Sequence, residues 1–227
     1  MRRIAMITVA VLVPIVGGVI GAAPALAANT LCTGVLTGTI NGNVEVPSGA
    51  NCVLDGATVT GSVVVDPGGS LNSVRGGGST IGGSVVANQP VNVLLLGSSV
   101  AGNISITGLT GGGCSSGIGG TTVGGSFTYS NSAPGSAFFE IGGGTCGGGG
   151  YGNTINGAVT LQNNRGAVEL NGDGPGGGNT LRSNVTATGN TGGGVINYNQ
   201  ITGSLTCSAN TPPYSATGNT VGGRNSC

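Results

Sequence analysis

One pattern recurs nine times along this chain, and that recurrence limits the possible folds more than any other feature of the sequence. With a glycine as position zero, the copies centre on Gly42, Gly61, Gly83, Gly102, Gly125, Gly157, Ser183 in the glycine's place, Gly203 and Gly223. The steps between them are 19, 22, 19, 23, 32, 26, 20 and 20 residues. Positions minus two, plus two and plus four are apolar in 26 of 27 cases, Asn225 being the exception, where the overall 37% would give about ten. The intervening odd positions are apolar in 4 of 36. Such alternation specifies strands with one buried face. A single short strand pair cannot bury that face alone, so about twenty residues per copy must wind around once and stack on the previous turn. The expected fold is all-β: a single-stranded right-handed parallel β-helix of about nine coils. At the strand spacing of a sheet, eight steps span roughly 38 Å. The right hand follows from the preference of parallel crossovers and from the lack of a strict six-residue spacing.

A third strand per coil is expected at Asn51, Ser70, Val91, Gly166 and Gly194, with corners at Pro47-Ser48-Gly49 and Asp66-Pro67-Gly68-Gly69. The glycine at zero is expected to let the wall bend between two strands. Asn153, Asn179, Asn199 and Asn219 share position minus four, where stacked amides form an asparagine ladder. Position minus three carries Thr39, Thr58, Thr80, Ser99, Thr122, Thr154, Thr180, Gln200 and Thr220, a row suited to a solvated strand face. The two long steps contain "IGGGTCGGGGYG" and "NGDGPGGGN", which read as glycine-rich loops projecting from one rung.

The chain of 227 residues opens with Arg2 and Arg3, an apolar stretch from Ile4 to Ala23, and Ala25-Leu26-Ala27. This is the layout of a secretory signal peptide over residues 1–27, leaving a β-helix domain over 28–227. An uncleaved anchor is the rival reading of the apolar stretch. A lipoprotein box is absent, since Asn29-Thr30-Leu31 precedes Cys32, and residues 28–227 contain no further span. They hold four arginines, no lysine and six acids, a formal charge of −2, which gives no electrostatic footprint for nucleic acid or an anionic membrane.

Six cysteines in an exported chain argue for three disulfides, and counting alone allows 15 connectivities. The register pairs Cys207 with Cys227, both at plus four and one coil apart. Cys32 and Cys52 are likewise 20 residues apart at the other end, which leaves Cys114 with Cys146 to tie a loop to the large insertion. A metal site is the alternative for clustered cysteines, but export and the absence of histidine oppose it. The sequence calls for no cofactor.

Without histidine or lysine, imidazole-based triads and Walker-type phosphate loops are excluded. Carboxylate and arginine chemistry remains. Glu140 and Glu169 occupy similar places on consecutive coils, with Arg165 and Arg182 nearby in sequence, so the two acids are the weak candidates for acid–base work, or for binding Ca²⁺ with Asp173. Tyr151, Tyr198 and Tyr214 offer rings on which sugars stack, although Tyr214, after Pro212-Pro213, is better placed to pack against a cap.

The recurrent unit [NST]-T-[VI]-x-G-[NS]-V-x-V, together with the terminal cysteines, resembles the secreted right-handed β-helix proteins of bacteria over residues 32–227. The fold resembles that of pectate lyases and, more loosely, the polymer-forming bactofilins. The first resemblance implies a calcium-binding acid cluster with a cationic base on one face, and the scattered acids of this sequence do not form that set. The second implies end-to-end polymerisation in the cytoplasm, which a leader and disulfide-bonded ends contradict. The expectation is a non-enzymatic, exported structural or adhesive solenoid, associated with the cell envelope or released, that presents rows of Thr, Ser and Asn to a polysaccharide or cell-wall polymer. The alternative is a polysaccharide lyase or hydrolase using the two glutamates. A lesser one is ice or crystal-surface binding through Ser126/Thr128, Thr160, Asn184/Thr186 and Ser204/Thr206, a row that Ala158 interrupts.

Overall fold

A computed structural model describes residues 29–75, 77–111, 116–135, 138–142, 151–171 and 178–227. Residues 1–28, Cys114, Cys146, Asp173 and the greater part of both glycine-rich insertions lie outside them. The described chain winds as a parallel β-solenoid whose circuit visits three sheets in turn. Sheet A holds ten strands, from Thr30–Leu31 to Asn225–Ser226; sheet B eight, from Val35–Leu36 to Gly194–Asn197; sheet C nine, from Thr39–Ile40 to Thr220–Val221. In register, Val85, Ile104, Phe127, Val159, Val185 and Leu205 stack as one column of sheet A, the plus-two column of the repeat. This column and those at plus four and minus two are buried from the second coil to the seventh, and each enclosed Val, Leu or Ile contributes about 1.5–3 kcal/mol. At the ends of the described solenoid Leu36, Ile40, Cys207 and Val221 are only partly buried.

Sheet B includes three strands beyond those expected from the pattern: Val35–Leu36, Ser116–Gly119 and Phe139–Gly142. The last two pair with each other and with their neighbours despite their glycines. Here the core is aromatic, with Tyr129 stacked on Phe139 at 4.3 Å between ring centroids and Phe127 tilted against Phe139 at 6.1 Å. Burial pushes the Tyr129 phenol up to about 12.

Both ends carry a disulfide. Cys32–Cys52 joins a position above Val46 in sheet A to the inner face of sheet B, with Cα atoms 5.3 Å apart and both residues fully buried. Cys207–Cys227 links successive plus-four positions, with Cα atoms 4.7 Å apart, and Cys227 is exposed. The expected Cys114–Cys146 pair lies outside the described residues.

The glycine at zero serves a purpose other than bending the wall. Apart from Gly42, these glycines have φ outside the left-handed region. What requires them is close approach: a Cβ on Gly61, Gly83, Gly102, Gly125, Gly157, Gly203 or Gly223 would collide with the plus-one side chain of the preceding coil and, except at Gly223, also overlap that coil's backbone. Apart from Ser126, those plus-one side chains are fixed by accepting from the next coil's backbone. Asn43 Oδ1 accepts from Ser62 N (2.9 Å), Ser62 Oγ from Ser84 N (3.0 Å), Ser84 Oγ from Asn103 N (3.0 Å) and Asn103 Oδ1 from Ser126 N (2.8 Å). Asn184 and Ser204 continue the ladder. The exception accounts for itself: Ser183 stands at zero directly after the coil whose plus-one residue is Ala158, which has no acceptor to place beneath it. There the N–H···O bond between successive zero positions, made at every other step, is missing.

Candidate functional site

Three outer walls could present a site, and the sheet geometry decides which residues share one. Glu140 and Glu169 are direct register partners on sheet B, facing outward between the inward pairs Phe139/Val168 and Ile141/Leu170. Their outward column continues as Leu94 and Gly117 on one side and Val195 on the other, so it carries no cation. Glu140 is only 6% exposed, and burial together with the Glu140 charge raises the pKa of Glu169. Arg182 belongs to another wall, directly after sheet C strand Thr180–Leu181, with its backbone N–H on Ile155 O. Arg165 lies at the corner between sheets A and B, where Ser132 holds its backbone N–H. The structure therefore joins the two acids and separates Arg182 from them. Asp173, the third proposed calcium ligand, lies outside the described residues. Among the described residues no group of three or more Cys, Asp or Glu could hold a metal ion.

The asparagines at minus four line the inside of the corner between sheets B and C. Asn153 N and Nδ2 both donate to Asn179 Oδ1 at 2.9 Å, Asn179 Nδ2 donates to Asn199 Oδ1 at 2.7 Å, and Asn199 N and Nδ2 donate to Asn219 Oδ1 at 2.9 and 3.0 Å. The remaining amide protons of Asn153, Asn179 and Asn199 go to the carbonyls of Ile118, Ile141 and Leu170. In earlier coils hydroxyls occupy the same column: Ser79 Oγ accepts from Ala57 N, Ser98 Oγ from Ser79 N and Thr121 Oγ1 from Ser98 N. A second ladder, Asn164, Asn190 and Asn210 at plus seven, lines the corner between sheets A and B in the same way. Apart from the terminal Asn210 and Asn219, both rows spend their hydrogen-bonding capacity internally, so they hold corners together.

Of the tyrosines, Tyr151 is open to solvent, the ring of Tyr198 lies over Gly218, where a Cβ would strike it, and Tyr214 is buried against Gly194 at the C-terminal end. They do not form one stacking platform.

Sheet C carries the longest uniform outer row. Thr39, Thr58, Thr80, Ser99, Thr122, Thr154, Thr180, Gln200 and Thr220 are consecutive register partners. The alternate residues, from Ile40 to Val221, point inward and anchor each strand in the core. Seven of the nine outward residues are exposed, Thr154 and Thr180 being half-buried, and none of the nine side chains makes a hydrogen bond within the protein. Sheet A presents a shorter hydroxyl row at plus three, Ser105, Thr128, Thr160, Thr186, Thr206 and Ser226. The plus-one side chains beside it, among them Asn184 and Ser204, are turned to backbone N–H groups. Among the described residues no helix is long and apolar enough to cross a membrane. Comparison with protein-family models, with curated proteins and with solved structures finds no match.

Proposed function

We propose that this protein is an exported, non-enzymatic adhesive solenoid that lays the outer face of sheet C along a hydroxyl-rich polymer, a polysaccharide of the cell envelope or its surroundings. The observation that supports this reading is the row of eight hydroxyls and one amide from Thr39 to Thr220, in register on one outer wall with every side chain free of internal hydrogen bonds. The core columns fix the spacing of the row at one strand separation, about 4.8 Å, so a repeating partner meets pre-ordered groups and little side-chain entropy is lost on contact. The disulfides suit an oxidising compartment, in agreement with the leader read from residues 1–27. The test is co-sedimentation with insoluble polysaccharides and isolated cell walls, comparing the protein with a Thr58→Lys/Thr80→Lys/Thr122→Lys variant. These positions face solvent, so the variant retains the fold. The bound fraction should fall at least tenfold; unchanged binding refutes sheet C as the adhesive face.

A second reading, a polysaccharide lyase or hydrolase, is favoured by one observation: Glu140 and Glu169 are register partners and Glu169 has a raised pKa, the arrangement from which an acid–base pair is built. It requires release of sugar that disappears in Glu140→Gln/Glu169→Gln.

A further inference from the structure

The corner between sheets A and B opens, over three successive coils, into a cleft of about 590 Å³ lined by Asn131, Ser132, Asn163, Arg165, Gly189 and Thr191. We propose that this cleft binds one anionic sugar residue, with the Arg165 guanidinium taking its carboxylate or sulfate group and Asn131, Asn163 and Thr191 its hydroxyls.

The local fold builds the cleft. Asn131, Asn163 and Gly189 are the plus-six residues of their coils and share a left-handed conformation, with φ of 56°, 54° and 65°. This turn sends the next residue of each coil inward, where Ser132, Asn164 and Asn190 link rung to rung, and leaves the plus-six position on the outside. Gly189 forms a floor without a side chain; a Cβ there would push the Asn163 amide aside. Coil five delays its entry into sheet B until Phe139, whereas coil six enters it at Val168, directly after Arg165-Gly166-Ala167. Ser132 Oγ accepts from both Arg165 N and Gly166 N at 3.2 Å, which pins the backbone from which the arginine projects.

The chemistry of the lining narrows the ligand. The side chains of Asn131, Asn163, Arg165 and Thr191 make no hydrogen bond or ion pair within the protein, so the amide, guanidinium and hydroxyl groups are all open to a ligand. A guanidinium is a planar fork that matches a carboxylate or sulfate edge in bidentate fashion. Side-chain amides both donate and accept, as a vicinal diol requires. No described residue lining the cleft has an apolar side chain, which favours a polar ligand. Because residues 28–227 carry a formal charge of −2, Arg165 marks a local positive point on an acidic molecule, and binding there should weaken with salt. The cleft is separate from the sheet C row, so the two proposals stand or fall independently.

The test is titration calorimetry of the disulfide-bonded protein with three probes: a hyaluronan tetrasaccharide for the carboxylate, a sulfated maltotetraose for the sulfate, and maltotetraose as the neutral control. At least one anionic probe should bind with one-to-one stoichiometry and at least tenfold more tightly than the neutral one; which of the two it is identifies the group. Arg165→Gln should abolish that preference, and Arg165→Lys should retain part of it, because a lysine keeps the charge but loses the fork. Circular dichroism should show both variants folded, since the guanidinium has no internal partner. The sheet C lysine variant should still bind the anionic probe. Failure of both anionic probes, equal binding of the neutral one, or an unchanged affinity in Arg165→Gln overturns the proposal.

Discussion

The step from Ala158 to Ser183 offers a direct test of why this solenoid repeats a glycine. Asn43, Ser62, Ser84, Asn103, Asn184 and Ser204 at plus one each accept from the next coil's backbone and lie where a Cβ at the following zero position would fall. Ala158→Ser supplies that acceptor beneath Ser183, whose own Cβ would then be overpacked, at about 1–3 kcal/mol. Ser183→Gly alone removes the Cβ and costs about 0.5–1 kcal/mol of added chain entropy. Combined, the two changes recreate the ordinary step: Asn184 N–H gains an acceptor and the bond from residue 183 to Gly157 O can close, each contributing about 1 kcal/mol. The coupling between the substitutions should therefore be favourable by about 3–5 kcal/mol, at or above the upper end of the range of contacting pairs. Thermal midpoints of the four proteins measure it, with amide exchange at residue 184 as a local reading that stays valid if the array unfolds in stages. Effects that add within about 0.5 kcal/mol would refute close approach as the reason for the glycine.

Three other expectations follow from the same geometry. Asn179→Ala should cost about 2–6 kcal/mol, because it leaves Asn153 N–H and Asn199 Oδ1 without partners in the interior, whereas Asn72→Ala on the outer Asn51–Asn72–Asn92 row should cost less than about 0.5 kcal/mol; denaturation midpoints compare them. Under limiting dithiothreitol, alkylation and mass spectrometry should find Cys207 and Cys227 modified before the fully buried Cys32 and Cys52, and loss of the C-terminal bridge, which closes a 20-residue loop, should cost about 3 kcal/mol. Since Glu169 has a folded-state pKa above its unfolded value, the folded state binds its proton more tightly. Its contribution favours folding at low pH and is lost as pH rises from the ordinary carboxylate range through the raised value; Glu169→Gln should flatten the stability profile in that window, and an unchanged profile would count against burial and Glu140 as the cause.

Much of the fold was legible because inward residues such as Val85, Ile104 and Phe127 repeat at a fixed offset from a marker glycine, and offsets survive insertions that fall elsewhere in the coil. Asn153, Asn179, Asn199 and Asn219 were visible for the same reason. The plus-seven ladder carried the same signal in Asn164, Asn190 and Asn210, but only in three coils, since Pro90 and Leu109 occupy that position earlier. Strand Ser116–Gly119 was hidden because two of its four residues are glycines and its partners, not its own sequence, hold it in the sheet. The reason for the zero glycine lies in the preceding coil, so a column read alone suggests a bend, whereas the diagonal from Ala158 to Ser183 reveals a contact. The Arg165 cleft left no linear trace: its lining residues span 131 to 191 and meet only because three coils stack.

The most direct test of the adhesive reading is to incubate residues 28–227 with cell walls and a panel of plant and microbial polysaccharides, and to measure bound protein and released sugar in the same samples. Retention on at least one polymer with no released sugar is the expected result. Released sugar that vanishes in Glu140→Gln/Glu169→Gln would contradict it and assign the protein to catalysis.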